Sequence, residues 1–183
     1  MKRQLLVTSI AMGALFCGAV PGLPQTDTRN VPKPPTAELE KFRPYFGLYE
    51  HTGDFAGLEW NGTLEIIPAV KGWYVEWVIN THHAQAIDRQ LRMFITWDRT
   101  LEKYRIWRFE TLNPQPPEAA EGEARFDGDQ LVMEWHWKDR DGEPGIYRNR
   151  VSINGPELVI VTEFERASGR IQELGVLRAR RRL

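Results

Sequence analysis

The chain has a single cysteine, Cys17, among its 183 residues. That cysteine lies inside an apolar N-terminal run that reads as a removable leader. The remaining chain then has no thiol, which excludes disulfides, thiolate nucleophiles and cysteine-ligated metals. Histidine is scarce: the four are His51, His82, His83 and His136. A zinc site without cysteine needs about three converging His or carboxylate ligands. The spacing here is not the i, i+4 helical pair of HExxH, so no metal is expected. A glycine-rich phosphate loop and a G-x-S-x-G elbow are missing as well. Nor is one sign of charge in excess. Without Lys2 and Arg3 the 24 basic residues fall to 22 against 25 acidic ones, a net charge of −3. That is not the footprint of a nucleic-acid binder. The basic ending RARRR, residues 178–182, reads as a solvated strand end.

Long hydrophobic runs are lacking beyond the N-terminus. MKRQ supplies two positive charges, LLVTSIAMGALFCGAV is largely apolar, and small residues and prolines follow. The pattern predicts a cleaved signal peptide over residues 1–22. The run is short for a membrane span, and Phe16 before Cys17 is not the small residue that lipidation needs. The expectation is an exported chain, periplasmic or secreted, with no membrane span after cleavage. Residues 23–35, proline-rich and aperiodic, read as an extended linker, and residues 36–183 as the folded domain.

Aromatic residues and short apolar runs are what the chain has in quantity. There are seven tryptophans, five tyrosines and eight phenylalanines, and 42% of residues are hydrophobic. That suits one domain with a sizeable core. Thr36 is placed to N-cap a short helix carrying Leu39 and Phe42 on one face, with Pro44 as its stop. After it, runs of strand length recur at 47–54, 59–67, 72–80, 90–97, 103–111, 122–126, 130–138, 145–153, 157–165 and 170–180. Between them stand Asp127-Gly128, Asp141-Gly142, Asn154-Gly155 and Ser168-Gly169, residues suited to tight hairpins. The prolines of NPQPPEAA, residues 113–120, forbid a central strand there. The series predicts an all-β fold: an up-and-down antiparallel barrel of about ten strands preceded by one short N-terminal helix. Closure removes the edges that an open sheet of that size would leave.

Period two divides each strand. Trp73, Val75, Trp77 and Ile79 share one face, as do Leu91, Met93, Ile95 and Trp97, and Leu131, Met133, Trp135 and Trp137. The opposite faces carry Glu76, Asn80, Arg92, Thr96, Glu134, His136 and Lys138, mixed with Tyr74, Phe94 and Val132. The mostly apolar faces form the natural inside. Trp60, Trp73, Trp77, Met93, Trp97, Met133 and Trp135 are therefore the candidate lining of an interior ligand site. Glu76 and His136, with Glu134, are candidate general acids and bases only if the polar faces turn inward. His82 and His83 are adjacent and point to opposite faces if they lie on a strand; the break at Asn80-Thr81 instead suggests a strand end leading into a polar loop.

The stretch FGLYEHTGDF, residues 46–55, together with EGEARFDGDQLVMEWHW and ELGVLRARR, gives the layout a resemblance. It resembles the calycin superfamily of lipocalins and fatty-acid-binding-protein-like barrels, and looks most like a secreted bacterial family of uncharacterised lipocalin-like barrels. Such families open on Gly-x-Trp and lay an arginine of the last strand across the tryptophan. Here Gly47 matches, Tyr49 stands in the tryptophan's place, and the resemblance implies Arg178 or Arg180 as its partner and a ligand-binding role for Tyr49 and Arg178. The nitrobindin-like relatives hold haem through a histidine late in the chain. No histidine follows His136, so no cofactor is expected.

Three readings follow. In the first, an exported barrel binds a small hydrophobic or aromatic molecule in an aromatic-lined interior and catalyses nothing. In the second, the same barrel is an enzyme using Glu76 and His136. In the third, the aromatics fill the core and the domain acts through its surface.

Overall fold

The computed structural model describes residues 33–83, 87–112, 117–138 and 142–182. The signal-peptide and linker assignments lie almost wholly outside them. Ten antiparallel strands form a closed barrel in chain order, with β1 paired to β10. They are β1 Gly47–Phe55, β2 Leu58–Ala69, β3 Tyr74–His83, β4 Ile87–Asp98, β5 Lys103–Leu112, β6 Glu118–Asp127, β7 Gln130–Lys138, β8 Pro144–Asn154, β9 Glu157–Arg166 and β10 Ile171–Arg181. A short α-helix, α1 (Thr36–Leu39), continues as a 3₁₀ helix over Glu40–Tyr45. No helix among the described residues is long and apolar enough to cross a membrane.

Several expectations need correction. The N-cap of α1 is Pro35, not Thr36, and Pro44 sits inside the 3₁₀ segment rather than ending it. Trp73 lies in the turn before β3, outside the face it was expected to share. β3 runs on through both histidines, which therefore split: His83 is buried and His82 is exposed beside Asp88.

The helical segment closes one end of the barrel. Phe42 and Tyr45 are buried there, Phe42 edge-on to Tyr104 and Phe126 with ring centroids 5.3 and 5.2 Å apart. The Tyr45 and Tyr104 hydroxyls donate to the carbonyls of Asp129 and Glu38, both at 3.0 Å. Above this plug the closed half is filled by apolar side chains, among them Leu64, Ile66, Val75, Trp77, Met93, Ile95, Ile106, Leu131, Met133 and Leu158, all buried. The inward faces read from period two hold here.

The last strand ties the plug in place, but through Arg181 rather than Arg178 or Arg180. Arg181 lies opposite Tyr49 in the β1–β10 register. Its guanidinium stands 5.3 Å from the Tyr49 ring centroid and donates to the Tyr49 hydroxyl at 2.8 Å and the Pro44 carbonyl at 2.6 Å. The Tyr49 hydroxyl in turn donates to the Tyr45 carbonyl at 2.7 Å. Gly47 makes room: a Cβ there would lie 3.1 Å from Arg181 Nε, and its φ of +151° suits glycine. Arg178 instead pairs with Glu157 on the exposed outer wall. Arg181→Ala is expected to cost about 1–2 kcal/mol, or a melting-temperature fall of about 3–6 °C. Arg178→Ala should stay within about 0.5 kcal/mol, as exposed pairs do. Thermal melts of the two variants check this; equal effects would remove the special standing of Arg181.

Candidate binding site at the open end of the barrel

The same parity that points Leu91, Met93 and Ile95 inward continues toward the open end, where it delivers polar residues. β4 contributes Arg89, and β5 contributes Arg108 and Glu110. β1 contributes His51, β3 Thr81 and His83, β8 Tyr147 and Asn149, and β9 Thr162. His51, Thr81, His83, Arg108, Asn149 and Thr162 are all buried.

Glu110 is the centre of this layer. It accepts from Arg89 Nε at one oxygen and from Arg108 Nη2 at the other. Burial alone would raise its carboxyl, but the charges and hydrogen bonds of Arg89 and Arg108 outweigh that and hold it below the usual range. Burial likewise pulls Arg89 down, while Glu110 and a hydrogen bond to Tyr147 push it net upward. The Arg108 guanidinium is stacked among three rings, 5.3 Å from Tyr147, 5.5 Å from Trp137 and 5.7 Å from Trp135. Two guanidiniums against one carboxylate leave one positive charge in excess.

His51 adds none. Its ring is 2% exposed, and burial, with the nearby Arg89 charge, lowers its pKa to about 4 against the pull of the Asn80 carbonyl. That carbonyl, 3.3 Å from Nε2, can only accept and so favours the proton on Nε2, with the Thr81 hydroxyl, also 3.3 Å away, as a second acceptor. Nδ1 is then a buried acceptor without a partner. Gly62 admits the ring: a Cβ there would lie 3.0 Å from His51 Nε2 and 1.9 Å from the Asn80 carbonyl oxygen. Trp60 Nε1, Trp135 Nε1 and Arg108 Nε are buried donors that also lack partners.

Arg89, Trp60, Tyr147, Asn149 and Thr162 are among the residues lining a small cavity of about 50 Å³. That is room for a head group of a few atoms. Above it, sharing Phe55, Tyr147 and Gly175, a vestibule of about 710 Å³ opens between Phe55, Trp137, Tyr147, Phe164 and Leu174. The site is thus a small, mostly apolar chamber with a few polar groups, Arg89 among them, beneath a wider one whose walls mix aromatic and charged side chains.

Of the lining predicted from the sequence, Trp60 faces the inner cavity and Trp135 lies under Arg108. Trp77, Met93 and Met133 are spent in the filled half, and Tyr49 and Trp97 lie at the closed end, Trp97 4.8 Å from Tyr104. Trp73 and Arg178 are not at the site. Glu76 and His136 face outward on β3 and β7, with three strands between them. Glu76 pairs with Arg92 at 3.3 Å, and Glu134 pairs with Arg125 and Arg148. The structure does not bring the acid–base candidates together. The residues missed, Arg89, Arg108, Glu110, Tyr147 and Asn149, could have been found by counting by twos past the last apolar position of each strand.

No family model matches the chain, and no curated protein matches it either. Among solved structures it is similar to Rv2717c from M. tuberculosis, at 12% identity and a TM-score of 0.54, over 79% of this chain and 97% of that one. That likeness shows the fold: an antiparallel β-barrel shared by two very different sequences.

Proposed function

We propose that the chain is an exported, calycin-like barrel that binds, without catalysis, a small hydrophobic or aromatic molecule bearing one negative charge. The observation that carries this reading is the Arg89–Glu110–Arg108 cluster, with one cation in excess, beneath an aromatic vestibule. A buried guanidinium left in excess favours an anion, which Trp60 Nε1 and the Tyr147 hydroxyl could also meet. The aromatic upper chamber supplies area for the ligand's body. Export rests on the N-terminal charge and hydropathy pattern, and calycin kinship on the Gly47–Tyr49–Arg181 closure.

The test uses a matched pair of probes: 1-anilinonaphthalene-8-sulfonate and N-phenyl-1-naphthylamine, the same body without the sulfonate. The anionic probe is expected to bind one-to-one and at least about tenfold tighter, and Arg89→Met should erase most of that difference. Equal or tighter binding of the neutral probe would contradict the anionic seat. The fully packed closed half favours the surface-acting reading instead; that reading expects neither probe to bind.

A further inference from the structure

The barrel wall is not laced along its full height. The β6–β7 ladder runs from Asp127↔Gln130 to Gly122↔Trp135 and stops. Beyond that point Glu118–Glu121 stay paired with β5, and His136–Lys138 stay paired with β8. Among the described residues, two strand edges therefore face each other unpaired near the open end. Natural barrels exist to abolish such edges, so an interruption within one wall asks for a reason.

The lips of the gap are small on one side and aromatic on the other. β6 offers Ala120 and Gly122; a Cβ at Gly122 would lie 2.6 Å from Trp135 Cδ1. Arg108 is the cross-strand neighbour of Ala120 in the β5–β6 register. Outside, two hollows of about 490 and 870 Å³ follow the gap and share His136. Trp137 lines both the larger outer hollow and the inner vestibule. Lys138 and Arg166 line both as well, but only Trp137 places a large ring between them, on an edge that no ladder bond pins to β6.

We infer that the gap between β6 and β7 is a side door, with Trp137 as its leaf, through which an anionic aromatic ligand reaches the vestibule. This rests on the proposed binding site. Lys138 and Arg166 flank the leaf; Arg108 stacks on it and on Tyr147, which leads on to the inner cavity.

The door and the site can be tested separately. Hydrogen exchange reads the door without any ligand. The gap-facing amides of residues 118–121 and 136–138 should exchange at least about tenfold faster than those of 123–127 and 130–134. Equal protection would mean that the wall is continuous and would overturn the inference. Stopped-flow binding of 1-anilinonaphthalene-8-sulfonate then reads the route. Trp137→Ala should raise the association rate by about tenfold, with dissociation rising at least as much because the indole also walls the vestibule, and Ala120→Leu should slow both. Gln172→Trp, at the end rim, should change them less than about twofold. Slowing by the rim variant, with no response to Trp137→Ala or Ala120→Leu, would place access at the end and overturn the side door. If the probe fails to bind the parent protein, the binding-site reading falls, while the exchange result still decides whether the wall is open.

Discussion

Lowering the pH from 7 to 4 is expected to remove up to about 3 kcal/mol of stability through His51 alone. The group is a base whose folded pKa, about 4, lies below its ordinary 6.5 because the ring is buried. Between those values the unfolded chain binds a proton that the folded one refuses. Stability is therefore intact above pH 6.5 and is lost progressively as the pH falls toward 4. The carboxylates behave differently. Glu110 and Glu134 are held low in the fold, so their contribution persists above 4.5 and fades only below it. The window from 6.5 to 4.5 thus isolates the imidazole. Urea midpoints measured across it should fall steeply for the parent and much less for His51→Asn. Absolute stabilities will differ, since the variant disturbs packing beside Gly62, but the slope carries the comparison. Parallel slopes would mean that His51 is not the group that titrates.

The ten strands and their inward faces could be read from the sequence because both follow from local chemistry. Asp-Gly and Asn-Gly turns mark the hairpins, and alternation assigns Val75, Trp77, Met93 and Met133 to the inside. The part that could not be read depends on register and on exceptions to the pattern. Tyr49 demanded an arginine, but a shift of one or two residues between distant strands decides which, and Arg181 rather than Arg178 or Arg180 falls opposite. The site hid for a related reason. An alternating apolar face invites the eye to stop where the apolar residues stop, yet β4 and β5 carry the same parity on to Arg89, Arg108 and Glu110. A charge at an inward position looks like the end of a strand until the partner that neutralises it is known, and here that partner lies on the neighbouring strand. Glu76 and His136 show the converse: they follow the outward parity, and their outer-face positions need no chemistry beyond cross-strand pairing with Arg92 and exposure to solvent.

Glu110→Gln is expected to destabilise the empty barrel by about 3 kcal/mol, because it leaves two buried guanidiniums without their shared carboxylate. The lower end of the usual range applies, since Arg89 keeps 20% side-chain exposure. Removing one cation as well, in Arg108→Met/Glu110→Gln, restores a single positive charge and should cost less than Glu110→Gln alone, a coupling of at least about 1 kcal/mol. Binding separates an anion seat from a purely structural ion cluster. With the carboxylate gone the interior carries two excess charges, and 1-anilinonaphthalene-8-sulfonate should bind about tenfold tighter and recover part of the lost stability, because a ligand that binds only the folded state stabilises it. The neutral N-phenyl-1-naphthylamine should do neither. A structural cluster gives the stability loss without the gain in anion affinity, and a Glu110→Gln protein within about 0.5 kcal/mol of the parent would mean that the carboxylate balances nothing. The gain in anion affinity would make Glu110 the residue that limits the site to one negative charge: with it the Arg89–Arg108 pair keeps a single uncompensated cation, and without it the pair favours a dianion.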